Sequence, residues 1–581
     1  MAIDLLKLQE KLGYSVNKGG MCYGIAYMAI QAIIRDDLER YISRINYLEK
    51  TLLQHNNNQD DAIDEIVEKI NAAYEKRKNK QNLDSEEIKL LDILNWLDGV
   101  QIYFNQNKLF SDSQNYEIAT NFFSANTNQE EKENRKIFVI AKELNMLTEK
   151  LINDIFDKID NSKDPIAFSL SSVDHIISIG KSSNYMPIYL ISHDIHKHIT
   201  SSRHLYSEVI HAFNYSLRTA LSIMTYSYQE ANISIKYVTN NLDKDDLPKL
   251  LCIALKEGHP EAIKAYIGCI SNLRGINKQE LLAAKKPNGI PGLFMALQNG
   301  HSEAVKAYIE GIFNFDGINK QELLAAKSKD VTPGLYMSLY NGHSEAVKVY
   351  IECISNFDGI DKQELLAAKT QDGTPGLCMA LQDGHSEAIK VYIECISKFA
   401  GINKQELLAA KIQDDGTPGL FMALQEGQSA AIKAYIESIS NLVGIDKQEL
   451  LAAKTQGDEI PGLFMSLYDG HSEAVKVYIE GISKFDGIDK QELLAAKIPN
   501  GTPGLHIALQ NGHSEAIKAY IEGISNIAGI DKQELLAAKI PDGTPGLHIA
   551  LQKGHLEAVK IYKETISKFM VLNNGSPRFL P

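Results

Sequence analysis

One octapeptide, KQELLAAK, occurs seven times in the second half of this 581-residue chain. The repeat period is 42 or 43 residues, with copies that begin at Lys278, Lys320, Lys362, Lys404, Lys447, Lys490 and Lys532. A shortened copy of the same unit opens the array near Leu247. A fixed period of this length indicates supersecondary units that bury their apolar faces only against their neighbours. The second half is therefore predicted to be a solenoid.

Each unit carries three helix signals. The first, Asp or Asn followed by K-Q-E, matches a capping box, in which the cap and a glutamate three residues later satisfy free backbone N–H groups. The second, T-P-G-L, offers Thr as an N-cap and Pro at the first helical position. The third, S-E-A-V-K-A-Y-I, offers Ser as a cap and has apolar residues at helical spacing. Each unit is thus predicted to be a helix–turn–helix preceded by a short helix.

The segment DGTPGLHIALQNGHSEAIKAYIEGIS resembles the ankyrin repeat, whose pattern is T-P-L-H-x-A-A followed by G-H. Two departures stand out: one extra Gly lies between Pro and Leu, and the unit is about nine residues longer than the ~33 of an ankyrin repeat. The surplus matches the length of KQELLAAK. We therefore expect a short helix where an ankyrin repeat has its β-hairpin finger.

Comparison of the copies separates structural positions from candidate binding positions. Cys269, Cys353 and Cys395 share one slot with glycine and serine, which predicts a packing site for small side chains. Another slot varies widely in size and polarity, and we expect it to face a groove or solvent and to contact a partner; it holds Phe294, Tyr336, Cys378, Phe421, Phe464, His506 and His548. The histidine that recurs after each turn is expected to bond loop backbone, and no metal site or cofactor is predicted.

Composition limits the remaining function classes. The formal net charge is −14, which argues against nucleic-acid binding through a basic surface. No apolar run reaches the ~18 residues of a membrane span, and the first residues lack the features of a Sec signal peptide. Six cysteines in a chain of this length do not make a disulfide framework.

The first half has a different residue pattern and lacks the repeat. The run CYGIAYMAIQAIIRDDLERYISRI (22–45) and two later segments predict helices, and the segment NQEEKENRKIFVIAKELNMLTEKLINDIFDKI predicts a loop and a long amphipathic helix. Residues 165–194 are rich in Ile, Tyr and Ser and alternate in polarity, which predicts a pair of adjacent strands with a turn at GKSSN. A helix or a loop is expected after them.

The order of a cysteine on a helix, further helices, and then His and Asp on strands is similar to that of papain-like cysteine proteases. The resemblance implies that Cys22 is the nucleophile, ionised at the start of a helix, with His175 as its base and Asp194 as the residue that orients the imidazole. It also implies an oxyanion donor from Asn17 or Ser15, together with the Cys22 backbone N–H. His175, Ile177 and Ile179 are predicted to share one strand face.

The pattern G-x-C-x-G before an apolar helix, followed by H-x-I-x-I-G, resembles the YopT-like papain-fold effectors. Together with the ankyrin-like array, it is similar to secreted effectors of the EspL and Shigella enterotoxin-2-like group and to Legionella ankyrin effectors. This resemblance implies delivery by a specialised secretion system into the host cytoplasm and cleavage of a host protein. A long interval between Cys22 and His175 implies a helical insertion at about 46–110.

Other interpretations of the same residues stay open. Cys22 can be a packing cysteine, His175 a hydrogen-bonded strand residue, and Asp194 a strand-end cap. The run HDIHKH (193–198) is a weaker candidate for a metal site. The same three residues can also serve a deamidase, a transglutaminase or an acyltransferase, and a non-catalytic scaffold is the alternative from another class.

The sequence as a whole predicts an α+β papain-like domain at 1–245, an all-α ankyrin-like solenoid at 246–570 and a tail at 571–581. The predicted function is a monomeric cysteine protease, with the repeats selecting a host protein as the substrate.

Overall fold

The computed structural model of the chain forms two compact units, Met1–Lys286 and Pro287–Pro581. The half-copy of the repeat and the first KQELLAAK lie in the first of these units. The structure describes residues 4–14, 18–104, 137–173, 175–182, 187–191, 196–213, 219–228, 234–238, 242, 244–412, 416–455 and 457–572.

Among the residues that the structure describes, five helices open the first unit. Their bounds are α1 Leu5–Lys11, α2 Lys18–Ile34, α3 Leu38–Gln54, α4 Gln59–Lys78 and α5 Ser85–Phe104. The buried guanidinium of Arg44 on α3 donates hydrogen bonds of 2.7 and 3.0 Å to the Asp92 carboxylate on α5. Although burial alone would raise it, the pKa of Asp92 is lowered because Arg44 and Arg40 both donate to the charged form. This ion pair fixes α3 against α5.

A mixed seven-stranded sheet follows, in the order β5-β4-β3-β2-β6-β1-β7. Its strands are β1 Phe138–Met146, β2 Ile166–Ser171, β3 Ile176–Lys181, β4 Ile188–Ile191, β5 His196–Ile199, β6 Ala220–Ser227 and β7 Ser234–Tyr237. Neighbouring strands are antiparallel, except that β7 pairs with β1 in parallel. In the described segments between the strands lie two helices, α6 Glu149–Asp160 and α7 Ser202–Ala212. The unit ends with α8 Leu247–Lys256, α9 Pro260–Asn272 and α10 Lys278–Ala283.

The two faces of the sheet bury different apolar clusters. Ala167 and Ile176 lie in a first cluster with residues from α1 to α5. Their chain neighbours Phe168 and Ile177 lie in a second cluster with residues of α6 and α7. Because successive strand residues point to opposite faces, the sheet separates the two clusters, and α2 packs on the first face across β2 and β3.

Two predictions for this region need correction. Residues 165–194 were expected to hold a pair of strands, and they hold three, because a second turn separates β2 from β3. The segment Phe138–Met146, expected to be helical, is strand β1, which pairs with β6 from end to end of its own length. Strand pairing on both sides of β1 supplies backbone hydrogen bonds that outweigh the helix propensity of its Ala, Lys, Glu and Leu.

The second unit is a solenoid of three-helix repeats. The first helices are Lys320–Ala325, Lys362–Ala367, Lys404–Ala409, Lys447–Leu451, Lys490–Leu494 and Lys532–Leu535. The second helices are Gly292–Gln298, Gly334–Tyr340, Gly376–Gln382, Gly419–Gln425, Gly462–Asp469, Gly504–Asn511 and Gly546–Gln552. The third helices are Ser302–Phe313, Ser344–Ser355, Ser386–Ser397, Ser429–Ser440, Ser472–Ser483, Ser514–Ser525 and Leu556–Leu572. Second helices stack on second helices and third on third, and the short first helix expected in place of a hairpin finger is confirmed.

The helix caps are in part those expected. The capping residue of the first helix is confirmed, since the Asp361 side chain accepts a hydrogen bond of 2.9 Å from the Glu364 backbone N–H. The N-cap of the second helix is Pro375 rather than Thr374, and that of the third helix is His385 rather than Ser386. The second helix therefore begins one residue later than expected, and the third helix begins one residue earlier.

The extra glycine of each unit lies at the first position of the second helix. A Cβ atom at Gly419 would stand 2.8 Å from Leu381 Cδ1 and 3.0 Å from Cys378 Cα in the preceding unit. Distances this short force the neighbour to move. Glycine therefore allows consecutive second helices to approach closely, which accounts for this departure from the ankyrin pattern.

Candidate functional site

Cys22 lies inside a helix rather than at its tip. Helix α2 begins at Lys18, so Cys22 is its fifth residue. A residue at this place donates its backbone N–H to the carbonyl four residues earlier. The Cys22 backbone N–H is therefore used within the helix and is not free to act as the expected oxyanion donor. Its half-buried side chain packs against the first cluster.

His175 closes the turn that leads into β3. Its backbone N–H donates to Ser172 Oγ at 3.1 Å, and its carbonyl accepts from the Ser172 N–H at 2.8 Å. The half-buried imidazole meets the Phe213 ring edge-on, with 5.9 Å between the ring centroids. Because Phe213 belongs to the second cluster, as do Ile177 and Ile179, the prediction that His175 shares their face is confirmed.

The structure does not bring the predicted catalytic residues together through these contacts. The packing of Cys22 is on the first face of the sheet, and the ring contact of His175 is on the second. Asp194, Asn17 and Ser15 lie outside the described residues. The assignment of Cys22, His175 and Asp194 as a triad stays a prediction.

Sequence reasoning missed a buried ion pair beside the His175 turn. The Lys256 ammonium donates to the Ser172 carbonyl at 2.7 Å and lies 3.2 Å from the Glu257 carboxylate. That carboxylate also accepts from Ser171 Oγ at 3.2 Å. The side chains of Lys256 and Glu257 are only 11% and 7% exposed. Since the pair lies at the end of α8, the half-copy of the repeat fixes the end of β2.

In the solenoid, the variable slot is mostly buried, contrary to the expected groove or solvent exposure. Its buried members are Phe294, Cys378, Phe421, Phe464 and His506. Tyr336 is half-buried, and His548, in the last unit, is exposed. The slot points toward the next second helix, as the 3.3 Å contact of Cys378 Sγ with Met422 Sδ indicates. The difference in burial arises because a side chain here packs between units, so a wide range of sizes does not imply exposure.

The position after this slot forms an apolar row along the second helices. Its side chains are half-buried in six consecutive units: Met337, Met379, Met422, Met465, Ile507 and Ile549. The residue three positions later is also half-buried or exposed in every unit, as Gln298, Tyr340, Gln382, Gln425, Tyr468, Gln510 and Gln552. These two rows define the second-helix face, which the sequence pattern did not single out.

The recurring KQELLAAK residues are engaged between units. The Gln405 side chain accepts from the Asp446 backbone N–H at 2.9 Å and donates to the Glu449 carboxylate at 2.8 Å. Lys411 donates to the same carboxylate at 2.9 Å, and these hydrogen bonds lower the pKa of Glu449. Equivalent bonds link each pair of consecutive repeats, from the one that begins at Lys320 to the one that begins at Lys532. The near-identity of the copies therefore has a structural explanation.

The repeated histidine also joins neighbouring units. His343 Nε2 lies 2.9 Å from the Gln298 carbonyl oxygen of the preceding unit, so the ring nitrogen is the donor. Burial lowers the pKa of His343 from 6.5 to about 4. The expected bond from histidine to backbone is confirmed.

Among the described residues, no group of three His, Cys, Asp or Glu side chains could hold a metal ion.

The cysteine slot packs as expected. A Cβ atom at Gly481, which shares the slot of Cys353 and Cys395, would lie 2.8 Å from Ile436 Cγ2 of the preceding unit. Burial raises the pKa of the Cys353 thiol to about 11, so this cysteine is a weak nucleophile.

None of the helices that the structure describes has the length and apolar character of a membrane span.

Comparison with known proteins gives a likeness to ankyrin repeat domains. No protein-family model matches the chain. No curated protein matches it either. Similar solved structures include the ankyrin repeat domain of Bcl-3, a unique member of the IkappaB protein family, with 14% identity over 47% of this chain and 97% of that one, at a TM-score of 0.33. The human ASB11 ankyrin repeat domain has 16% identity over 47% of this chain and 96% of its own, at a TM-score of 0.30.

Proposed function

We propose that the solenoid binds a protein partner through the second-helix face. The observation that carries this proposal is the unbroken row of half-buried Met and Ile side chains at one position of six consecutive units. Methionine is flexible and polarizable, and it is used where a surface must adapt to a partner. A continuous apolar row on a solenoid is a typical protein-binding surface.

The distribution of recurring and varying residues supports the same face. Gln405, Lys411 and Glu449, which recur in every unit, are used in bonds between units. Side chains on the second-helix face vary from unit to unit, for example Gln382 and Tyr468 at the same position. Variation on a fixed framework gives some units a contact surface that differs from that of the others.

A site-specific photo-crosslinker tests this proposal. With p-benzoylphenylalanine in place of Met379, we expect one saturable adduct in an extract that contains the partner. The same group in place of the exposed Lys390, on the third helix of the same unit, should give no such adduct. Met422→Asp in the next unit should reduce the Met379 adduct, because it places a charge in the apolar row. Equal crosslinking from both positions would contradict the proposal.

A thiol hydrolase at Cys22 is the second candidate. It is favoured by one observation: helix α2 lies across β2 and β3, and β3 begins directly after His175. In the proposed reaction, the Cys22 thiolate attacks a peptide carbonyl, His175 protonates the leaving amine, and water releases the acyl-enzyme. Under this proposal, the substrate is a host protein held by the solenoid, and delivery into a host cell follows from the resemblance to secreted effectors.

Selective labelling with an electrophilic peptide probe separates a hydrolase from a scaffold. We expect labelling of Cys22 at neutral pH and its loss in His175→Ala, with Cys353 as an internal thiol that stays unlabelled because its pKa is raised. His198→Ala changes an exposed histidine of the same sheet and serves as the matched control. Equal labelling in both variants would leave the scaffold as the function of this chain.

A further inference from the structure

Two units of the solenoid carry a feature that the other units lack. The second helices at Gly334–Tyr340 and Gly462–Asp469 both contain the sequence M-S-L-Y, where the remaining units have M-A-L-Q or I-A-L-Q. These two helices are three units apart. The Ala-to-Ser and Gln-to-Tyr changes thus occur together, and they occur twice.

The aromatic residues of these two units form stacked pairs. The Tyr336 and Tyr340 rings are nearly parallel, at an interplanar angle of 6°, with 6.2 Å between centroids. The Phe464 and Tyr468 rings are 6.5 Å apart at 25°. Residues four apart on a helix lie one above the other, so in each pair the tyrosine of the second-helix face stacks on the ring of the variable slot. We call each pair an aromatic platform. Tyr340 is half-buried, and Tyr468 is 46% exposed.

The accompanying serines hold the platforms in place. Ser338 Oγ donates to the Leu297 carbonyl of the preceding unit at 2.7 Å, and Ser466 Oγ donates to the Leu424 carbonyl at 2.6 Å. Both serines are fully buried. Each bond ties an aromatic-bearing helix to its neighbour, so that the rings are presented on a fixed support.

Carboxylates act on the first platform, and one follows the second platform in the sequence. Burial, together with the charges of Asp372 and Asp383, raises the pKa of Tyr336 to about 12, which places these two exposed carboxylates near its ring. Asp469, also exposed, directly follows Tyr468 in the second platform. Aromatic faces beside negative charge attract planar cations, and arginine stacks on such faces more often than lysine.

We propose that the two platforms are matched sites for arginine side chains of a basic segment in the partner protein. This inference rests on the proposed function of the solenoid and names the chemistry that its partner presents. Packed helices lie 8–10 Å apart, so three units separate the sites by roughly 24–30 Å. A partner with two arginine-bearing elements at that spacing engages both sites at once, which raises its overall affinity without any new contact.

The test uses a fluorescein-labelled hexa-arginine peptide and the full-length protein at physiological salt. We expect two peptides to bind per chain, one peptide to bind to Tyr340→Gln or to Tyr468→Gln, and saturable binding to be lost in the double variant. Glutamine is the residue that most other units have at this position, so these variants preserve the unit. Lys390→Ala, on the third helix, is the control that should leave binding unchanged.

Two further measurements sharpen the test. Gln425→Tyr, next to Phe421, should add a third peptide, since it rebuilds the pair in another unit. Asp372→Asn should weaken binding at the first platform by about 1.5- to 5-fold, the range for an exposed ion pair. A hexa-citrulline peptide, which has a similar shape without charge, should not bind.

Failure of this inference differs from failure of the proposed function. If hexa-arginine does not bind, or binds wild type and the double variant with the same stoichiometry, the platforms are not arginine sites. Equal binding of hexa-citrulline would also overturn the inference. The Met379 photo-crosslink reports partner binding irrespective of either platform.

Discussion

The substitution Gly419→Ala addresses how closely consecutive second helices pack. The added Cβ would lie 3.0 Å from Cys378 Cα, whereas ordinary van der Waals contact begins near 3.4 Å. Cys378 Cα is backbone and cannot rotate away, so two stacked helices must separate. Overpacking of this kind costs about 1–3 kcal/mol. Alanine returns at most about 1 kcal/mol through its helix propensity, so a net loss of about 1–2 kcal/mol is expected.

Local opening is the quantity to measure, because a solenoid does not unfold as one cooperative block. Amide hydrogen exchange in the helix Gly419–Gln425 should become roughly 5- to 30-fold faster in Gly419→Ala. Gly457→Ala is the matched control: no atom lies within 4 Å of the added Cβ, and the residue has no positive φ. That variant should be unchanged or more stable by about 0.4–1 kcal/mol. If both variants slow exchange equally, the close approach of the helices is not what selects glycine.

Two more predictions concern a bond between neighbouring repeats and a bond within one repeat. For His343, whose pKa is lower in the folded chain, stability is fully present above pH 6.5 and lost as the pH falls toward 4, by about 1–3 kcal/mol. His343→Gln places the side chain that Gln428 supplies naturally and should show a smaller loss in the free energy of local opening, measured by amide hydrogen exchange. An identical pH profile would contradict the assigned burial. Tyr435→Phe removes the 2.7 Å bond from the buried hydroxyl to the Leu408 carbonyl and should lower the free energy of local opening, measured by amide hydrogen exchange, by about 1–2 kcal/mol. No change would mean that water replaces the hydroxyl.

The solenoid could be predicted because its signals are local. The cap at Asp361, the short helix after it and the turn before His385 are each encoded within a few residues. The partners of these residues in the next unit could not be predicted, since Gln405 reaches residues 41 and 44 positions away. The burial of Cys378 was missed for the same reason, because it depends on the contact with Met422 in the neighbouring unit.

The first unit was less predictable because its strands pair over long separations. Strand β1 reads as a helix from its own residues and becomes a strand by pairing with β6, about 80 residues later. The alternation that places His175, Ile177 and Ile179 on one face was correct. Which helices cover that face is decided by the order of the strands, and this order is not written in any single segment.

The start of α2 could not be predicted from local residues either. Two adjacent glycines before Cys22 favour a helix that begins after them, since glycine is a poor helix former. The helix instead begins at Lys18. At Gly24 a side chain would collide with the Val100 carbonyl of α5, at 2.4 Å. Packing of α2 against α5 thus holds a helix that local propensity does not favour, and this decides where Cys22 lies.

The joint between units has the same donors and acceptors at each step from Gln321 to Glu534. Excision of a whole period, for instance 404–446, would bring the Gln363 side chain to Glu449. The new joint would have the same hydrogen bonds as the others. Gene-level recombination between such copies can therefore lengthen or shorten the array while every remaining boundary stays intact. The gap between the M-S-L-Y helices would shrink by a third in that deletion, so array length and the reach of its contacts are inherited together.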